Sequence, residues 1–132
     1  MTKILNEIMN DIINKYKNEI DFRFTNEPVS YCYVPEKIIY MYFKGFLNPD
    51  VSFIFDILHE VGHIKTNTKG MKRCEEEYYA TEWAIKEIKK IGLKLPNKRK
   101  QEFQDYIWKW REIGIKLKAK KIPSKEQLIL IW

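Results

Sequence analysis

The only two histidines of the chain, His59 and His63, stand four residues apart, with Glu60 directly after the first. On a helix, residues i and i+4 share a face with Cβ atoms about 5–6 Å apart, so both imidazoles can reach one ion at about 2.0–2.1 Å. This is the H-E-x-x-H pattern of zinc hydrolases. Glu60 is turned about 100° from His59 around the helix. It is poorly placed as a third ligand, but it can flank the water of a catalytic zinc, take its proton and pass that proton to a leaving amine.

Two histidines leave a catalytic zinc in need of one more protein ligand. The acids downstream are Glu75, Glu76 and Glu77, and periodicity separates them. The apolar face of the following helix carries Cys74, Tyr78, Thr81, Ala84, Ile85 and Ile88, and Glu77 lies on that face. Glu75 aligns with Glu82 and Lys86 on a polar face, and Glu76 falls on a mixed flank. A carboxylate on a buried stripe requires a partner, and a metal ion supplies one for Glu77. The expected site is therefore zinc on His59, His63 and Glu77, with Glu60 as general base.

These side chains need two buried helices and a sheet to frame them. Asn48-Pro49-Asp50 predicts a helix start, with Asn48 as N-cap and Pro49 at the first helical position. The helix it opens has apolar residues on nearly every side, from Val51 to Ile64, which marks it as buried. Gly62 on this helix permits close approach of another backbone. A turn is expected over 66–70, then a helix from about Lys72 to Ile91 that stops at Gly92. Upstream, a helix capped by Thr2 carries one stripe through Ile4, Ile8, Ile12 and Tyr16. Phe22 to Phe24, Tyr31 to Val34 and Lys37 to Phe43 are strand-forming runs, read as a small, largely antiparallel sheet. A long helix begins near Asn97, and Ser124 with Gln127 resembles a capping box before the terminal segment. The fold class is α+β in one domain over 1–132, with 97–132 as its helical C-terminal part.

His59-Glu60-Val61-Gly62-His63 followed by Glu77-Tyr78-Tyr79-Ala80-Thr81-Glu82-Trp83-Ala84 resembles the ImmA/IrrE-type metallopeptidases. These are gluzincin-type zincins, often encoded by phages and mobile elements. The resemblance implies a minimal zincin-like fold, His59, His63 and Glu77 as zinc ligands, Glu60 as general base, and cleavage of a protein substrate. It covers roughly residues 37–84. Thr81 stands where the family has Asn or Asp, and its hydroxyl orients a ligand imidazole more weakly than a carboxylate does.

Bulk properties bound the alternatives. Two cysteines, Cys32 and Cys74, make no disulfide framework, the charged N-terminus reads as no signal peptide, and no apolar run reaches the ~18 residues of a membrane span. The expected setting is soluble and cytoplasmic. Residues 98–121 hold nine Lys/Arg against three acids, a surplus equal to the whole net charge of +6. A solvated lysine face explains it, and nucleic acid is the less favoured partner. The expected partner is a peptide or protein lying extended on the sheet edge. A tyrosine, Tyr78, Tyr79 or Tyr106, is expected to donate to the oxyanion. The rival reading is a catalytically silent zinc-binding regulator acting through its basic C-terminal helix. Exposed Trp108 and the segment from Leu128 to Trp132 leave room for a dimer.

Overall fold

A computed structural model of the chain describes residues 2–66, 73–118, 123–130 and 132. The Thr2 cap, the side chain of Cys74, the turn over 67–70 and the charges of Lys120 and Lys121 lie outside the described residues. The elements run α1 (Thr2–Tyr16), β1 (Asp21–Thr25), β2 (Tyr31–Tyr33), β3 (Ile38–Tyr42), α2 (Phe43–Leu47), α3 (Val51–Lys65), α4 (Arg73–Ile91), α5 (Asn97–Lys116) and α6 (Lys125–Leu130).

The α+β class holds, but the sheet is mixed rather than largely antiparallel. Its order is β1-β3-β2. β2 pairs antiparallel with β3, Cys32 opposite Ile39, while β1 pairs parallel with β3, Phe22 opposite Ile39. The chain leaves β1 at Thr25, crosses to the far side of the later β3 and returns through Val34 and Lys37, so β1 and β3 run the same way. Alternation along β3 turns Ile39 and Met41 into the core and leaves Tyr40 on the outer face, stacked on Tyr31 with ring centroids 5.0 Å apart. β2 is thereby an edge strand.

The expected strand to Phe43 stops at Tyr42, and the short α2 follows. Asn48 closes α2 instead of opening α3, its N–H donating to Lys44 O. The N-cap of α3 is Asp50, whose carboxylate accepts from Phe53 N at 2.7 Å. α3 is buried on most of its circumference, as its composition requires: Ile54, Phe55, Ile57, Leu58 and Val61 are each at most 1% exposed, and a strip through Asp56 and Glu60 is half-buried. Gly92 ends α4 with φ +88°, and Leu93 N donates back to Ile88 O, the geometry that glycine adopts without strain. The terminal segment is helical, and its capping box is reciprocal: Ser124 N donates to Gln127 Oε1 and Gln127 N to Ser124 Oγ.

α4 lies between α3 and α5. It therefore buries two faces, one toward the histidines and one, with Tyr78, toward Ile107 and Leu128. Glu75 shares that second face three residues before Tyr78, which accounts for its burial where a polar face was expected. Trp108 is half-buried against the same cluster, not exposed. Close approach of α3 and α4 depends on Gly62, where a Cβ would stand 2.7 Å from Ala80 O. Gly62→Val is expected to destabilise the protein by at least ~2 kcal/mol, an overpacking cost against backbone that cannot yield. Unfolding midpoints in denaturant would measure it; an unchanged midpoint would mean the helices are not in this register.

Candidate metal centre

α3 presents His59 and His63 on one face, their rings 4.7 Å apart at 75°. Ala80 touching Gly62 brings α4 close enough for Glu77, one turn earlier, to enter between them. His59 Nε2 lies 3.2 Å from Glu77 Oε2, and His63 Nε2 lies 3.4 Å from Glu77 Oε1. All three side chains are buried, Glu77 at 1% exposure. One ligand atom from each falls within 4.8 Å of the others, and this is the His/Cys/Asp/Glu group able to hold a metal ion among the described residues.

The donor set fits a metal on two counts. The 3.2 Å from His59 Nε2 to Glu77 Oε2 is close to the edge of about 3.3–3.4 Å of a tetrahedron that bond lengths of ~2.0–2.1 Å generate. More tellingly, His59 Nε2 and Glu77 Oε2 are both buried without a hydrogen-bond partner despite lying 3.2 Å apart. A metal ion between them would satisfy both atoms at once; without one, only a protonated His59 can pair with the carboxylate across that gap. Electrostatics agree with a charged Glu77: burial pushes its carboxyl up, but the two imidazoles outweigh burial and hold it well below the usual carboxylate range. Burial likewise pushes His63 down, and Glu77 reverses this to leave it raised.

Glu60 lies at the rim, with Oε1 4.0 Å from His59 Nδ1 and its side chain 16% exposed. It is not one of the three converging groups, as its rotation around the helix dictates. Phe103 of α5 packs edge-on to both His59 and Phe55, at 5.6 and 4.7 Å, and fixes the first imidazole from behind. Thr81 is fully buried, but its hydroxyl has no hydrogen-bond partner, so the expected bond to a ligand imidazole is not made.

The group opens into a cleft of ≈ 640 Å³. One wall is the segment from Pro28 through Cys32, including the edge of β2 that no other described strand pairs; the other is α5, through Arg99, Phe103 and Tyr106. Of the three tyrosines considered for the oxyanion, only Tyr106 lines this cleft. Tyr78 is buried and donates to Glu82 at 3.2 Å, with Tyr79 packed beside it.

Four contributors escape the sequence reading. Arg73 forms an ion pair with Glu77, its Nε 3.0 Å from Oε1; its position four residues before Glu77 is a usable signal. Asp56 stands one turn before His59 on α3, a charge on a buried helix, and it is held by Arg99 Nη2 at 2.6 Å. Arg99 also donates to Glu102 and lies over the Phe103 ring, so it ties α5 to α3 across the cleft. Cys32 faces the site from β2; burial, with Glu60 beside it, pushes its thiol far up and keeps it protonated. The basic C-terminal segment is correspondingly less free than its composition implies, because Arg99 is paired and Arg111 donates to Pro123 O and lies over Trp108.

No family model, no curated protein and no solved structure matches the chain. Among the described residues no helix is long and apolar enough to cross a membrane.

Proposed function

We propose that the chain is a zinc-dependent peptidase that hydrolyses a peptide bond in a protein or peptide substrate. The observation that carries this reading is the convergence of His59, His63 and Glu77, two of their atoms unsatisfied, at the floor of a cleft whose rim holds Glu60. Zinc held by these three residues supplies Lewis acidity toward a carbonyl and lowers the pKa of a water toward ~7. Two histidines and one carboxylate suit a hydrolytic zinc, which keeps a position open for water.

The residues of the chain divide the other tasks. Glu60, at the rim and partly solvated, takes the proton of the attacking water and returns it to the leaving nitrogen. The free edge of β2 offers backbone donors and acceptors to an extended substrate, which would add as a further strand. Tyr106, across the cleft, donates to the developing oxyanion. Phe103 and the Arg99–Asp56 pair hold His59 and the cleft wall in place, and so limit the entropy lost on assembling the reacting groups. A minimal zincin-like fold, as the resemblance to ImmA/IrrE-type enzymes implies, would use its parts in this way.

The test is direct. Zinc-loaded protein is incubated with a proteome-derived peptide library, and new termini are mapped by mass spectrometry. Recurrent cleavage that a chelator abolishes and zinc restores is the expected result. A fully loaded protein that generates no new termini would count against the peptidase and in favour of a silent metal-binding regulator.

A further inference from the structure

We propose that Arg73 is a positioning residue that makes Glu77 a one-oxygen metal ligand, by holding Oε1 so that Oε2 alone is offered. The two carboxylate oxygens are not equivalent. Arg73 Nε lies 3.0 Å from Oε1 as an ion pair, and His63 Nε2 lies 3.4 Å from the same oxygen. Oε2 is buried with no hydrogen-bond partner, facing an equally unpartnered His59 Nε2 at 3.2 Å. The two unpartnered atoms are therefore Oε2 and His59 Nε2, while Arg73 stands at the other carboxylate oxygen.

A carboxylate free at both oxygens can swing between one- and two-oxygen binding, and two-oxygen binding uses the position that a catalytic site keeps for water. A guanidinium suits the opposite task. It is permanently charged and planar, and Nε binds one oxygen in a defined direction. Placement supports it. Arg73 opens α4 one turn before Glu77, and its side chain is 61% exposed, so it approaches the carboxylate from the cleft side and not from the core. Tyr106 lines the same cleft beside it, and the Trp110 ring lies 5.9 Å from its guanidinium carbon. These two α5 side chains limit the directions it can take. The residue thus joins α5, which walls the cleft, to the metal-binding carboxylate.

This inference rests on the metal reading above but not on peptide hydrolysis, and it is tested without an activity assay. Cobalt(II) is loaded into the parent, Arg73→Gln and Arg73→Lys, visible spectra are recorded, and affinity is measured by chelator competition. The parent should show the intense d–d absorption of a four-coordinate ion. Arg73→Gln should show the weaker spectrum of a five-coordinate ion and bind about 10–100-fold more weakly, the usual cost of losing a group that orients a ligand. Arg73→Lys, which keeps a charged donor, should recover part of both. Parental spectrum and affinity in Arg73→Gln would overturn the assignment while leaving the metal site standing. Tighter binding in Arg73→Gln would show that Arg73 competes with the metal and would overturn it as well. Failure of the parent to take up cobalt or zinc would overturn both the assignment and the metal reading.

Discussion

Replacing His63 by alanine is expected to lower the metal content of the purified protein from about one zinc per chain to near none. His63 supplies one of only three converging ligand atoms, and no other His, Cys, Asp or Glu among the described residues stands ready to replace it. The affinity loss should exceed the ~10–100-fold typical of residues that merely orient a ligand. Elemental analysis reads the occupancy, and thermal unfolding gives an independent check. Zinc at a hundred times its Kd should stabilise the parent by about 2.7 kcal/mol through mass action, and should leave the variant unmoved. Acid should act in the same direction as the substitution. Glu77 holds His63 protonated to a higher pH than an ordinary imidazole, and metal binding must displace that proton. Occupancy should therefore fall as pH falls through the His63 pKa and recover above it. A parent that holds no zinc even when zinc is offered would remove the basis of the proposed function.

The convergence of His59, His63 and Glu77 is legible because it depends on local periodicity. Four-residue spacing puts two imidazoles on one face of any helix, and the stripe through Ala84, Ile85 and Ile88 marks Glu77 as the acid on the face that meets α3. The Ser124–Gln127 box and the Gly92 stop are local in the same sense. Strand order is different. Nothing in the composition of β1 tells whether it lies beside β2 or crosses to β3, because each of its side chains would alternate identically in either place. The sheet's mixed pairing therefore could not be read from pattern. α2 is five residues long, too short to declare a helical period. Glu75 reads as polar-face only while α4 has a single apolar face, and the helix is packed on two sides. Arg99 reaches Asp56 from 43 residues away, a contact no window can contain. Arg73 is the exception, since its spacing to Glu77 made the pair visible, and only the assumption that a metal alone balanced Glu77 concealed it.

Glu60→Gln carries the largest expected effect on chemistry, a fall in turnover of about 10²- to 10⁴-fold, the range that a positioned general base contributes. The substitution keeps size and hydrogen-bonding capacity and removes only the ability to accept a proton. Glu60 is 4.0 Å from the nearest nitrogen of His59 and lies outside the group of converging ligand atoms, so zinc content should remain at the parental level. Its side chain is partly solvated, so no buried partner is left with an uncompensated charge, and the unfolding midpoint should shift by less than ~0.5 kcal/mol. KM should change little, because the lost interaction belongs to the transition state and not to substrate binding. The three readouts together separate the alternatives. Turnover lost with zinc and stability retained identifies Glu60 as the base. Zinc lost along with turnover would place Glu60 among the structural supports of the metal. Turnover kept within a few-fold would remove it from the chemistry, and with it the inference from H-E-x-x-H to peptide hydrolysis. The remaining combination, no turnover in either protein but an undiminished biological effect from both, would mean that the cleft binds its partner and does not cut it. In that case the metal serves the packing of α3 against α4, and the free edge of β2 is the surface on which partner contacts should be sought.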